Sequence, residues 1–338
     1  MTQTAGLGPA ITTENPVLAE VVRSGFTESR HRGAVAVVDA SGAIALSAGA
    51  VDTPIFPRSS NKPMQAVAML RCGLDLEGSL LALAAASHSG EDFHVAGVRE
   101  ILAGAGLSED ALKCPPDLPL DQGALRTMVL AGARPDRVHM NCSGKHAAML
   151  ATCVVAGWPT ASYTEPDHPL QREIRRTIER LAGEPVTSVG VDGCGAPLFA
   201  LTLTGLARAF GAVVRAEPGS PERRVADAMR AYPKWTSGTA RPDRRLMEAV
   251  PGLLLKSGAE GVEGLALADG RAAAFKIDDG DGARRARTAV TVALLRTLGA
   301  DDEPGADRAT LDDLASPAVL GGGRKVGEVR AVLSFKGL

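Results

Sequence analysis

Near one end of the chain stands GAVAVVDASGAIALSAG (33–49), and near the other EGLALADGRAAAFKI (263–277). Each is a pair of short apolar runs around a tight turn, Ser41-Gly42 in the first and Asp269-Gly270 in the second. That pattern predicts two β-hairpins. VRAVLSF (329–335) predicts a further strand. The strands therefore come from both ends of the chain, and what lies between them is mostly helical by pattern.

Helices are expected at MQAVAMLRC (64–72), 91–106, 145–157, 168–183, 221–232 and 283–299. Several of these begin on an acidic residue, histidine or proline and stop at glycine, as helices do. VTSVGV (186–191) reads as one short buried strand among them. The simplest arrangement is an α/β (α+β) fold with one antiparallel sheet built from N- and C-terminal strands, helices packed on it, and a helical segment inserted between. The expected organisation is a loose tail at 1–20, a single domain over 21–338, and a mainly helical insertion at about 60–255.

Composition removes some function classes. Hydrophobic residues make up 45% of the 338, which suits a packed globular protein. Aromatics are 3% and the net charge is −2, so the chain lacks both the stacking platforms and the basic tracks of a nucleic-acid binder. Five cysteines (Cys72, Cys114, Cys142, Cys153, Cys194) are an odd and sparse set, which points to a reducing compartment. The first residues lack the basic and apolar regions of a secretory signal, and no apolar run is long enough for a bilayer. A cytoplasmic protein with a small-molecule partner, and neither nucleic acid nor membrane, is the expectation.

PRSSNKPMQA (57–66) holds a serine and a lysine three apart, Ser59 and Lys62. A serine hydroxyl is a weak nucleophile until a base takes its proton. A lysine can be that base if burial or a neighbouring cation such as Arg58 disfavours its ammonium. The bland alternative is a helix start, with Ser59 capping and Lys62 in solvent. AASHSGED (85–92) offers Ser87, His88, Ser89 and Glu91 to a pocket, or else a capping box of Ser89 with Asp92.

NCSGKHAAM (141–149) and VDGCGAP (191–197) pair naturally, since Cys142 and Cys194 from separate turns are able to hold a zinc ion with help from other donors. His146 and Asp192 are near in sequence. Plain buried cysteines, or an anion-binding helix start at Ser143-Gly144-Lys145, are the alternatives. Lys256, between an apolar run and a glycine turn, reads as a lysine reaching solvent. KIDDGDGARRAR (276–287) reads as a polar loop whose spacing excludes an EF-hand.

The blocks PRSSNKPMQA, ASHSGEDFHVA, NCSGKHAAMLA, PDHPLQ, VDGCGAP, LLLKSGAEG and KIDDGDG occur in this order. Together they resemble the Rhizobium-type L-asparaginases, from about Val21 to the C-terminus. The least similar stretch is 107–138. The resemblance implies a fold similar to serine β-lactamases and penicillin-binding proteins. It also implies hydrolysis of L-asparagine to L-aspartate and ammonia, a homodimer, and two serine–lysine pairs beside one zinc ion per subunit. By motif, Ser59 with Lys62 and Ser87 with Lys256 match the pairs. Cys142, Lys145 and Cys194 match the zinc ligands, Asp192 the nearby carboxylate, and Arg58 and His146 substrate contacts. Another serine hydrolase of similar fold is disfavoured because the chain has no Ser-Asp-Asn or Lys-Thr-Gly triplet. A non-catalytic binding protein is disfavoured because every expected site residue is present.

Overall fold

A computed structural model describes residues 15–333 and Phe335. The strands are β1 (Val17–Arg23), β2 (Phe26–Val38), β3 (Ile44–Ala48), β4 (Val189–Val191), β5 (Pro197–Phe199), β6 (Leu254–Ser257), β7 (Val262–Ala266), β8 (Ala272–Ile277), β9 (Ala318–Gly321) and β10 (Arg324–Ala331). Eight of them form one antiparallel sheet in the order β6-β7-β8-β2-β1-β10-β9, with β3 also paired to β2. Strands from the two ends of the chain meet at β1–β10 (Glu20 opposite Arg330) and at β2–β8 (Val35 opposite Phe275). Both expected hairpins form, as β2–β3 and β7–β8.

The helices are α1 (Lys62–Arg71), α2 (Gly78–Ala84), α3 (Asp92–Gly104), α4 (Gln122–Leu130), α5 (Ser143–Val155), α6 (Pro169–Ala182), α7 (Leu203–Arg215), α8 (Pro221–Ala231), α9 (Pro233–Thr236), α10 (Pro242–Ala249), α11 (Ala286–Thr297) and α12 (Arg308–Ala315). Helices lie on both faces of the sheet. Ala34, Ala36 and Val38 of β2 join the core that contains α1, α5, α6 and α7. The intervening Val35 and Val37 join a second core with α10, α11 and α12. Burial on both faces explains why β2 and β8 read as continuous apolar runs rather than alternating ones. Gly33 marks where β2 and β8 come closest, since a Cβ there would lie 2.1 Å from the Lys276 carbonyl oxygen.

Some expectations need correcting. β1 begins at Val17, inside the stretch read as a loose tail; residues 1–14 lie outside the described residues. The strand read at 186–191 is shorter (β4) and exposed at Val189 and Val191, because it pairs only with β5. The last strand ends at Ala331, and part of its expected range lies outside the described residues. The sequence pattern did not reveal β1, β6, α4, α7 or α10. No helix among the described residues is long and apolar enough to cross a membrane.

Candidate active site

Arg58–Asn61 forms a 3₁₀ turn that runs into α1 at Lys62, with Pro63 in the first helical turn where its missing N–H costs nothing. No side chain caps either element, so Ser59 is not a cap. Arg58 adopts φ +52°, a left-handed conformation that an L side chain holds only when its surroundings impose it. Two contacts impose it here. Its Nε donates to Asp192 at 2.8 Å, and Gly258 packs against the turn so closely that a Cβ there would lie 2.6 Å from the Pro57 carbonyl oxygen.

Lys62 is not solvated: it is 1% exposed. Its Nζ donates to the Ala86 carbonyl (2.6 Å), the Ser87 hydroxyl (3.0 Å) and the Cys142 sulfur (3.1 Å). Lys256, on β6, is 2% exposed and does not reach solvent; its Nζ lies 2.9 Å from the same Ser87 Oγ and donates to the Ser257 carbonyl at 2.7 Å. One hydroxyl is thus held between two lysine nitrogens. Burial first, and the Lys62 charge second, push the Lys256 pKa well below the ordinary lysine value. Ser257 in turn donates to Asp243, which sits where α10 begins. Burial alone would raise that carboxyl, but Arg241, Arg287 and Lys256 hold it below the usual carboxylate range.

Ser59 and Ser87 both line a cavity of about 260 Å³, together with Asn141, Arg241, Ser257 and Arg287. Ser59 Oγ makes no hydrogen bond among the described residues, and its expected partner Lys62 bonds Ser87 instead. The structure therefore gathers Ser59, Lys62, Ser87 and Lys256 into one place but links the lysines through Ser87. His88, Ser89 and Glu91 do not line this cavity. His88 bonds the Ser143 hydroxyl, Ser89 the Ser237 carbonyl and Glu91 the Thr239 hydroxyl. Glu91, not Ser89, occupies the N-cap position of α3, so the capping box does not form.

Behind Asn141 lies a sulfur cluster. Cys142 Sγ accepts from Lys62 Nζ and donates to the Asn141 side-chain oxygen at 3.0 Å, while Lys145 Nζ donates to Cys194 Sγ at 3.1 Å. The Cys194 thiol is held far below its ordinary value, chiefly by hydrogen bonding from Cys142 and then by Lys145 and His146 against burial. The same bond, with burial, raises Cys142. The two neighbouring thiols are thus pushed in opposite directions. Burial opposes the Lys145 ammonium, but Cys194, Cys142 and Asp192 outweigh it and raise its pKa. His146 is fully buried against Cys194; its Nδ1 meets the Tyr163 hydroxyl at 2.7 Å and its Nε2 has no partner. Among the described residues no group of three His, Cys, Asp or Glu side chains is arranged for a metal.

The sequence reading passed over Asn141, Tyr163, Asp243, Ser257 and Arg241. Asn141 and Ser257 stand directly beside Cys142 and Lys256, and that adjacency was the available signal.

Among solved structures, the chain resembles Mglu in its native form at 18% identity, covering 85% of this chain and 65% of that one, with a TM-score of 0.43. Mglu in its L-glutamate binding form gives 17%, 85%, 63% and 0.44. A β-lactamase from Mycobacterium bovis gives 14%, 78%, 94% and 0.42. The chain thus spans less than two thirds of the length of Mglu. No curated protein matches it. The sequence profile of L-asparaginase II matches residues 19–331, a span that contains all of Arg58, Ser59, Lys62, Ser87, Cys142, Lys145, Cys194 and Lys256. The chain belongs to the L-asparaginase II family.

Proposed function

We propose that the protein hydrolyses the side-chain amide of L-asparagine to L-aspartate and ammonia. The observation that carries this reading is the Ser87 hydroxyl held between Lys62 and Lys256 at the wall of a cavity that Ser59 also lines. A lysine whose ammonium is disfavoured by burial, as at Lys256, is a base, and a hydroxyl between two nitrogens is a proton conductor. Ser59 Oγ, free of other bonds, attacks the amide carbon. With substrate bound, Ser59 Oγ closes on Lys62, which takes its proton as it passes one of its own to Ser87, and Ser87 passes its proton to Lys256. The same chain returns that proton to the amide nitrogen as the C–N bond breaks and ammonia leaves. Water then attacks the Ser59 ester by the same relay, and Ser59 is restored as L-aspartate departs.

The donor set behind Asn141 fits a zinc ion, with Cys142 and Cys194 as thiolates and Lys145 as a neutral amine. The unpartnered His146 Nε2 beside Cys194 shows that this pocket carries donor capacity that protein contacts do not use. A bound zinc ion would supply a Lewis acid to orient one end of the substrate. Loading it must release the Lys145 proton and the Cys142 thiol proton, so metal affinity should fall steeply as pH drops. The homodimer implied by the family forms part of the same proposal and is measured by sedimentation.

The test is ammonia release from L-asparagine by the purified protein and its variants. Ser59→Ala should lower kcat by about 10³-fold or more while leaving the melting temperature unchanged. Ser87→Ala should cost roughly 10²-fold and alter the acid limb of the pH profile. A Ser59→Ala protein with near-normal turnover would falsify the assignment. Cys142→Ser and Cys194→Ser should each abolish bound zinc by elemental analysis.

A further inference from the structure

The cavity that Ser59 and Ser87 line is also lined by three arginines. Arg241 lies just before α10, Arg284 in the loop before α11, and Arg287 on α11, and all three face the space lined by Ser59 and Ser87. Their pairing is uneven. Arg287 donates to the Gly258 carbonyl at 2.8 Å and lies 3.4 Å from Glu263. Arg284 has no carboxylate within ion-pair distance among the described residues. Arg241 is the most telling. Its side chain is 16% exposed, its guanidinium makes no hydrogen bond among the described residues, and its buried Nε has no partner. Its nearest carboxylate oxygen, on Asp243, is 3.9 Å away.

The buried Nε has no acceptor and the one nearby carboxylate is at the limit of ion-pair distance, so the guanidinium keeps donor capacity toward the cavity that the protein itself does not use. The acidic groups lining the same cavity are already engaged. Asp281 accepts from the backbone N–H groups of Arg285, Ala286 and Arg287, and Asp279 accepts from the Asp281 N–H and meets His31 Nδ1 at 2.7 Å. Arg58, the expected substrate contact, is engaged too, with Asp192 at 2.8 Å and Glu260 at 3.7 Å.

We propose that Arg241, supported by Arg284, receives the α-carboxylate of the substrate, and that this contact selects an amino acid amide over a plain amide. The proposal rests on the asparagine amidohydrolase reading above. The planar fork of a guanidinium matches a carboxylate in charge and geometry. The two serines that line the same cavity then meet the amide at the other end of the same small molecule.

The experiment compares L-asparagine with 3-aminopropanamide, which keeps the amine and the amide but lacks the carboxylate. In the wild-type protein kcat/KM should strongly favour L-asparagine. Arg241→Gln should collapse that preference by about 10- to 100-fold, mainly through KM for L-asparagine. Arg241→Lys, which restores the charge without the fork, should recover part of it. Calorimetric affinity for L-aspartate should fall with Arg241→Gln by a similar factor, and thermal melting reports whether the variant is folded. An unchanged preference, or equal losses for both amides, overturns the proposal. If the wild-type protein hydrolyses neither amide, the asparaginase reading fails while L-aspartate binding still decides the role of Arg241. No L-aspartate binding in the wild type would sink both.

Discussion

Glu263 is a residue whose chemistry is decided by burial. It stands on β7 behind Lys256, hydrogen-bonded to Thr291 and 3.4 Å from Arg287. Burial pushes its pKa from 4.5 to about 7, despite Arg287. The folded protein therefore keeps a proton that the unfolded chain releases above pH 4.5, and stability should fall as pH rises from there through about 7. Glu263→Gln should flatten that slope, by up to about 3 kcal/mol in urea unfolding measured between pH 4.5 and 8. A slope equal to the wild type's would show that Glu263 titrates normally. At this scale the sequence was legible where residues are local to a motif. Ser59 and Lys62 were visible because they are three apart. The link from Lys62 to Ser87 was not, because a contact across the fold leaves no periodicity. Lys256 reads as solvent-exposed from its spacing for the same reason, and only the family resemblance set it beside Ser87; in the fold, β6 packs against the 3₁₀ turn at Arg58–Asn61 and buries it.

Among elements, the joint between β6 and the 3₁₀ turn at Arg58–Asn61 positions the site. Gly258 closes it, and no other side chain fits against the Pro57 carbonyl without movement. Gly258→Ala should displace the turn, lower asparagine hydrolysis by about 10-fold or more, and cost roughly 1–3 kcal/mol of stability. Activity near wild type would mean that the turn shifts without harm to the site. The strongly patterned elements were legible. α6 and α8 present one apolar face, and the two hairpins carry turn residues at their centres. β6 was not, since it is a four-residue run, and α7 was passed over although it carries one apolar face, because Gly205 and Gly211 interrupt it.

The whole molecule has two cores, one on each side of a shared sheet, and α7 packs on the sheet from within the long segment between β3 and β6. The two parts should therefore unfold together. Trp158 and Trp235 both belong to the helical side. Their fluorescence and the far-UV circular dichroism should report coincident midpoints in urea. An earlier fluorescence transition would show that the helical segment melts alone. The plan of strands from both ends around a helical centre was readable, because hairpin signals are local. Which strands are neighbours was not, because β1–β10 and β2–β8 pairings join residues far apart in the chain.

Those same pairings set the order in which the protein can be made. On the ribosome β2 is finished early, yet its partner β8 is among the last strands to emerge. At about 5–20 residues per second, the edge of β2 waits on the order of tens of seconds with its ladder unfilled. That edge runs past Val35 and Val37, on a sticky strand whose other side alone is filled, by β3. The nascent chain thus presents a ready template for another copy of itself, and its yield in a cell should depend on whatever shields that strand until β8 arrives.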